Sequence, residues 1–419
     1  MHRHLNVPLL ALAALLLAAP LAHAGTTTAL DGWPEWVQKD MGKEVKRLKY
    51  RDVESPDQSV RTRMPGKPEA PQPMEGGWYF SSDIKAESPL ECYLFNESKD
   101  LATLINVIAE ANIGAVAGSP EQAGNRHVHH TSAGAVGGMP YLALEWLYTA
   151  PGDDQLMVGF TKVRAATKGE ISLVCAHNYL GYRESFADAF AAFVTNMQYD
   201  DGTDTPFYEE IATLDMNGLG SGVIYASYSI DADGDIALYS AEASLVPVDA
   251  ATLTTSDSYT ISYSTPAGEM FNAHSIGVEN GELSINMSLQ RNDAGAWQSS
   301  GMLQGKELSF EIDGTLQPSS EWEQLAMTRN LFAGEDTSTS TLIWMPAIDP
   351  TQFLEAEMTR DDAEVERQAI VSIGPLSYTG RFDESGNLVD AVMASGPVAI
   401  NIVRVWSQGT LLQTDARLS

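Results

Sequence analysis

Apolar positions along this 419-residue chain follow two rhythms that change near residue 200. Up to about 199, helical spacing is mixed with short alternating runs. "GWYFSS" and "ECYLF" read as strands. "SKDLATLINVIAEAN" sets Leu101, Leu104, Ile105 and Ile108 at helical spacing, with Ser98 as the expected N-cap. "YLALEWLYT", "QLMVGFTKVRA" and "EISLVCAHNY" then read as strands, the last placing Ile171, Leu173, Cys175, His177 and Tyr179 on one face by alternation. "RESFADAFAAFVTNM" puts Phe186, Phe190, Phe193, Val194 and Met197 on one helical stripe. From about 203, alternating runs recur with Gly, Asp and Asn between them, from "GVIYASYSI" to "AINIVRVW". One helix interrupts them: "SSEWEQLAMTRNLF" holds Ser320 and Glu323 at capping-box spacing.

This pattern predicts an α+β domain over 77–199, an antiparallel sheet with helices. An all-β domain over 203–419 follows it, an antiparallel sandwich or curved sheet. Ahead of both, residues 25–76 read as a surface helix ("WPEWVQKDMGKEVKRLKY") and a Pro-rich linker ("RMPGKPEAPQPMEGG"). The start, "MHRHLNVPLLALAALLLAAPLAHA", has a short basic beginning, an apolar run and an A-x-A end. It reads as a signal peptide over 1–24, cleaved after Ala24, which implies a periplasmic or secreted protein of Gram-negative type. The apolar run is short for a membrane span, and no later segment is apolar enough for one.

At 77–199 the element order resembles the PsbP-like α/β sandwich family. The carriers are "GWYFSS", the strands ending in "ISLVCAHNYLGY", and the closing helix with Phe186 and Phe190. The resemblance implies a small accessory or binding domain and brings no catalytic residues with it. The His- and Gly-rich stretch "NRHVHHTSAGAVGGMPY" departs from that pattern.

Charge narrows the function classes. The net charge is −31, and residues 200–419 hold eight Lys or Arg against thirty-four Asp or Glu, with Lys306 the only lysine there. Such a surface repels phosphate backbones, so nucleic-acid binding is not expected. The acidity serves solubility first; the sharper alternative is a cationic partner or ligand. The two cysteines, Cys92 and Cys175, are an even count in an exported chain, and a disulfide is expected. The alternative is two buried free thiols.

The candidate chemistry is thin. His127, His129 and His130 could hold a metal ion weakly, with Glu121 or His177 as a further ligand, but no zinc-protease or Cys/His spacing accompanies them. The flanking Gly118, Pro120, Gly124, Gly134, Gly137 and Gly138 predict an exposed loop with ordinary, freely titrating imidazoles. "DADGD" at 231–235, with Glu242 eleven residues after Asp231, has EF-hand spacing but places Ile236 where a glycine is wanted. A hairpin turn is the expected reading. Cys175 and His177 share a strand face but lack an orienting third group. The sequence carries no nucleophile elbow, phosphate loop or dinucleotide fingerprint, and no cofactor is expected. The leading expectation is a non-catalytic binding or accessory protein of the cell envelope, acting on an unidentified protein or small ligand. A carrier of an apolar ligand, held between curved sheet and the helix near 320–332, comes next. A metal-dependent hydrolase using His127, His129 and His130 comes third.

Overall fold

The computed structural model describes residues 33–86, 88–152, 157–199, 205–361, 364–395 and 398–411. The expected leader at 1–24 lies outside the described residues. An α+β part is followed by an all-β part, as the change of rhythm predicts.

The first part opens with α1 (Glu35–Met41) and the hairpin of β1 (Tyr50–Glu54) and β2 (Arg61–Pro65). The expected helix over 33–50 therefore stops at Gly42. The expected linker at 63–77 is also corrected: it supplies the end of β2 and the short strands β3 (Lys67–Pro68) and β4 (Gln72–Met74). Proline lacks an N–H to donate, so it suits such edge positions, and β3 and β4 both pair with the rim of β5.

The sheet then continues through β5 (Gly77–Ala86), β6 (Ser88–Phe95), β7 (Gly124–Val136), β8 (Met139–Ala150), β9 (Met157–Lys168) and β10 (Ile171–Asn178). Its order is β3-β5-β6-β10-β9-β8-β7, with β4 also on β5, and every pairing is antiparallel. Helix α3 (Arg183–Thr195) covers one face with Phe186, Phe190 and Phe193. Helix α2 (Leu101–Ala117) covers the other with Leu101, Ile105 and Ile113. Cys92 and Cys175 stand directly opposite each other on β6 and β10 and are joined by a disulfide.

The second part is one fourteen-stranded antiparallel sheet. Its strands are β11 (Tyr208–Met216), β12 (Leu219–Ile230), β13 (Ile236–Pro247), β14 (Leu253–Ser264), β15 (Met270–Glu279), β16 (Glu282–Arg291), β17 (Trp297–Leu303) and β18 (Lys306–Ile312), then, after α4 (Glu321–Ala333), β19 (Ser338–Ile343), β20 (Leu354–Arg360), β21 (Gln368–Ile373), β22 (Leu376–Phe382), β23 (Leu388–Ser395) and β24 (Val398–Gly409). Strand β24 returns to pair with β11, so β18 and β19 are the outer strands. The sheet is curled. Trp344, just after β19, packs with Trp297 of β17 and Ile312 of β18, and its indole N–H donates to Ser299 Oγ at 3.3 Å.

Helix α4 lies on the concave side. At its start Ser320 Oγ accepts from the Glu323 N–H (3.1 Å), and the Glu323 carboxylate accepts from Ser319 Oγ (3.0 Å). Met327 and Leu331 pack against Met358, Val371, Tyr378, Met393, Ile400 and Ile402 of β20–β24. The convex side of β11–β13 meets the first part in a shared core, with Ile211, Val223, Tyr225 and Leu245 against Ile105, Ala109 and Trp146.

Candidate functional site

The His-rich stretch is not a loop. It forms β7, and its glycines do other work than loosening the chain. Gly137 and Gly138 have φ of 58° and 75° and form the two-residue turn between β7 and β8, where Val136 pairs with Met139. That turn type requires left-handed backbone at both positions. Gly134 packs under Tyr141, whose ring would lie 2.7 Å from an added Cβ.

Pairing then sets each histidine. The register shifts between Val128 and His130, so His129 is the extra residue of a bulge. Its ring is buried edge-on to Phe160 (5.6 Å), and burial pushes its pKa down to about 4. His130 faces Glu145 across the ladder, and burial lowers its pKa too. The expectation of exposed, freely titrating imidazoles is thus corrected for His129 and His130.

Registers of adjacent strands extend this pair into a row of ionisable residues: His130 on β7, Glu145 on β8, Lys162 on β9 and His177 on β10. The row is used by the fold. Arg183 Nε and Nη2 both lie 2.7 Å from Glu145 Oε2. Lys162 is fully buried and donates to the carbonyls of Tyr179 (2.5 Å) and Gly181 (2.8 Å), tying down the segment that leads into α3. Burial drives its pKa down to about 7, against the opposing pull of Glu145. His177 stacks on Phe186 and meets Tyr182 edge-on, and burial drives its pKa down to about 3. Cys175 is spent in the disulfide, which removes the thiolate that a Cys175–His177 pair would need. Among the described residues, no three His, Cys, Asp or Glu side chains come together as a metal site.

The acidic turn at 231–235 joins β12 to β13. Asp231 Oδ1 accepts from the N–H groups of Asp233 and Asp235, both at 2.9 Å, and Gly234 takes a φ of 88°. Glu242 lies far along β13, on the concave face of the sheet.

That concave face has two different halves. Over β20–β24 it is mostly apolar and packed against α4, with Arg360 and Arg404 toward its rim. Over β13–β15, alternation from Leu238, Asp257 and Ala273 points Ser240, Glu242, Ser244, Ser258, Thr260 and Ser275 to the concave side. Ser240, Ser258, Thr260 and Ser275 remain half-buried, so solvent reaches this wall. The face of α4 beside it is polar as well. Glu321 accepts from Ser262 Oγ (2.9 Å), and Gln324 and Thr328 are buried. A cavity of about 20 Å³ between them is lined by Thr260, Ser262, Glu321, Gln324 and Trp344. That volume suits one water molecule.

Glu242 is the exception on this wall. It is 4% exposed, and neither carboxyl oxygen has a hydrogen-bond partner among the described residues. Ser244 Oγ, two residues along the same face, has none either. Burial pushes the Glu242 pKa up to about 8. At the other end of the interior the charges are matched. Tyr208 donates to Glu210 (2.9 Å), and Arg404 reaches Glu210 (3.4 Å) and Asp383 (2.7 Å).

No family model matches the chain, and no curated protein does. Among solved structures, it is similar to a β-barrel-like protein of the domain of unknown function DUF1849 from Brucella abortus. The identity is 12% and the TM-score 0.37, over 48% of this chain and 96% of that one. It is also similar to the cyanobacterial PsbP protein of Synechocystis sp. PCC 6803, with 10% identity and a TM-score of 0.26, over 38% of this chain and 96% of that one.

Proposed function

We propose that this chain is an exported, non-catalytic binding protein of the cell envelope, and that its ligand seats on the concave wall of β13–β15 beside α4. The observation that carries this reading is the contrast between the two halves of one interior. A sheet that only needed to pack would be mostly apolar, as it is over β20–β24, where Tyr378 and the rim cations Arg360 and Arg404 are the polar exceptions. Burying a hydroxyl and a carboxyl without partners costs free energy, so Ser244 and Glu242, set in a half-buried wall of Ser240, Ser258, Thr260 and Ser275, need a use. Sites that fix small ligands place a few polar groups in just such concave walls. The same lining favours a ligand with polar groups over an apolar one. The disulfide supports export, because such bonds persist in oxidising compartments.

Native mass spectrometry of protein purified from the envelope fraction tests this. The wild type is expected to hold a small-molecule adduct that the wall-filling variants Ser258→Phe and Ser275→Phe lose while melting normally. Adducts unchanged in both variants would overturn the assignment.

A further inference from the structure

We infer that the wall of β13–β15 recognises a primary ammonium group on its ligand, with Glu242 as the anchoring carboxylate. The inference rests on the binding reading above and names the chemistry of that same wall.

The first reason is that Glu242 has no partner among the described residues. Buried carboxyls are nearly always paired or hydrogen-bonded, and here both oxygens are unmet at 4% exposure. Among the described cations of the concave face, Arg404 is committed to Glu210 and Asp383, and Arg360 to the Leu331 and Gly334 carbonyls and the Phe332 ring. Lys306, the only lysine after residue 200, sits at the start of the outer strand β18. No donor among the described residues meets Glu242, which leaves the place to a donor from a ligand.

The second reason is the number and kind of acceptors. Ser244 Oγ is buried and unmet on the same strand face, and Ser258 stands directly opposite Glu242 on β14. One carboxylate and two hydroxyl oxygens match the three N–H donors of a primary ammonium. Other cations fit less well. A divalent metal wants several charged or carbonyl oxygens, and no such group of side chains forms among the described residues. A quaternary ammonium has no N–H to give and is held by aromatic faces, whereas this wall is serine and threonine. A guanidinium is planar and seeks a two-point fork. The other cross-strand neighbour of Glu242 is Ile224, which packs into the apolar core and offers no second acceptor.

The third reason is long-range. With eight basic against thirty-four acidic residues over 200–419, the field around this part draws cations toward it.

The probe is n-hexylammonium chloride, titrated calorimetrically into the full-length mature protein at pH 8.5, where the Glu242 carboxyl ionises, and at near-physiological salt to screen unspecific attraction. n-Hexanol and hexyltrimethylammonium serve as neutral and quaternary controls. The wild type is expected to bind hexylammonium saturably at one site and to ignore both controls. Glu242→Gln, nearly isosteric, is expected to bind at least tenfold more weakly with an unchanged fold. Should that variant fold poorly, Ser244→Ala removes one acceptor and is expected to weaken binding several-fold. No binding to the wild type, equal binding by Glu242→Gln, or equal binding of hexanol would overturn the inference. The binding reading fails separately. If Ser258→Phe loses a native adduct that carries no amine, the wall binds but the ammonium assignment is wrong. If Ser258→Phe changes neither the adducts nor hexylammonium binding, the wall itself is wrong.

Discussion

Asp257 on β14 caps a helix that belongs to the other sheet: its carboxylate accepts from Thr103 twice, at the backbone N–H (3.0 Å) and at Oγ1 (2.9 Å). A third bond comes from the Ala102 N–H at 2.8 Å. These are first-turn donors of α2, which no carbonyl within the helix can satisfy. The expected N-cap, Ser98, lies outside the helix, and the actual N-cap, Asp100, makes no side-chain cap and accepts instead from the Tyr259 hydroxyl. Sequence spacing finds caps that lie within three or four residues; Asp257 is 154 residues from Thr103.

Asp257→Ala should therefore destabilise the protein by about 2 kcal/mol, the upper range for losing a helix cap. Chemical denaturation, followed by far-UV dichroism, checks this. A loss below about 0.5 kcal/mol would show that the cap contributes no more than an ordinary surface contact.

The histidines of β7 and β10 should make the protein acid-labile. Their folded pKa values are depressed, to about 4 for His129 and about 3 for His177. Below pH 6.5 the unfolded chain takes up protons that the folded state refuses, so stability falls as pH drops toward 4. His129 alone accounts for a loss on the order of 3 kcal/mol across that window. Denaturation midpoints at pH 7 and pH 4.5 should converge in His129→Leu relative to the wild type. An unchanged pH slope in that variant would mean that the ring is protonated in the fold.

Glu242 should give the opposite slope. Its folded pKa is raised to about 8, so between pH 4.5 and 8 the folded state holds a proton that the unfolded chain has released. Stability contributed by the neutral carboxyl is lost as pH rises through that window, on the order of 4 kcal/mol in all. Glu242→Gln should flatten this slope and be more stable than the wild type at pH 8. Equal stabilities of the two proteins at pH 5 and pH 8 would show the carboxyl to be solvated.

Removing the disulfide by Cys92→Ala with Cys175→Ala should cost about 2–5 kcal/mol, since it spans 83 residues of sequence. Both sulfurs are fully buried, so reductant should open the bond only after unfolding. Rapid reduction under native conditions, followed by thiol titration, would contradict that.

Much of the fold was legible wherever neighbours in sequence settle the structure. The stripe of Phe186, Phe190 and Phe193 announced α3, and Ser320 with Glu323 announced α4. The Asp-rich turn at 231–235 proved to be a hairpin. What misled was glycine and proline. In "SAGAVGG" they reported a tight turn and a ring packed on Gly134, not a loop. In 63–77 they reported edge strands. The wall around Glu242 had no local signature at all. Ser240, Ser258 and Ser275 lie on three strands, and only the registers of β13, β14 and β15 bring them side by side. Glu242 drew notice in the sequence for its distance from Asp231, a spacing that proved irrelevant.

Methyl-resolved NMR tests the central proposal most directly. Ile224, Met270 and Met287 border the polar wall, while Met358, Ile373 and Met393 report on the packed half. When the small-molecule fraction of the envelope is added, shifts should move at Ile224, Met270 and Met287, and the Met358, Ile373 and Met393 signals should stay in place. Shifts confined to the packed half, or no shifts anywhere, would contradict the assignment of the concave wall as the binding face.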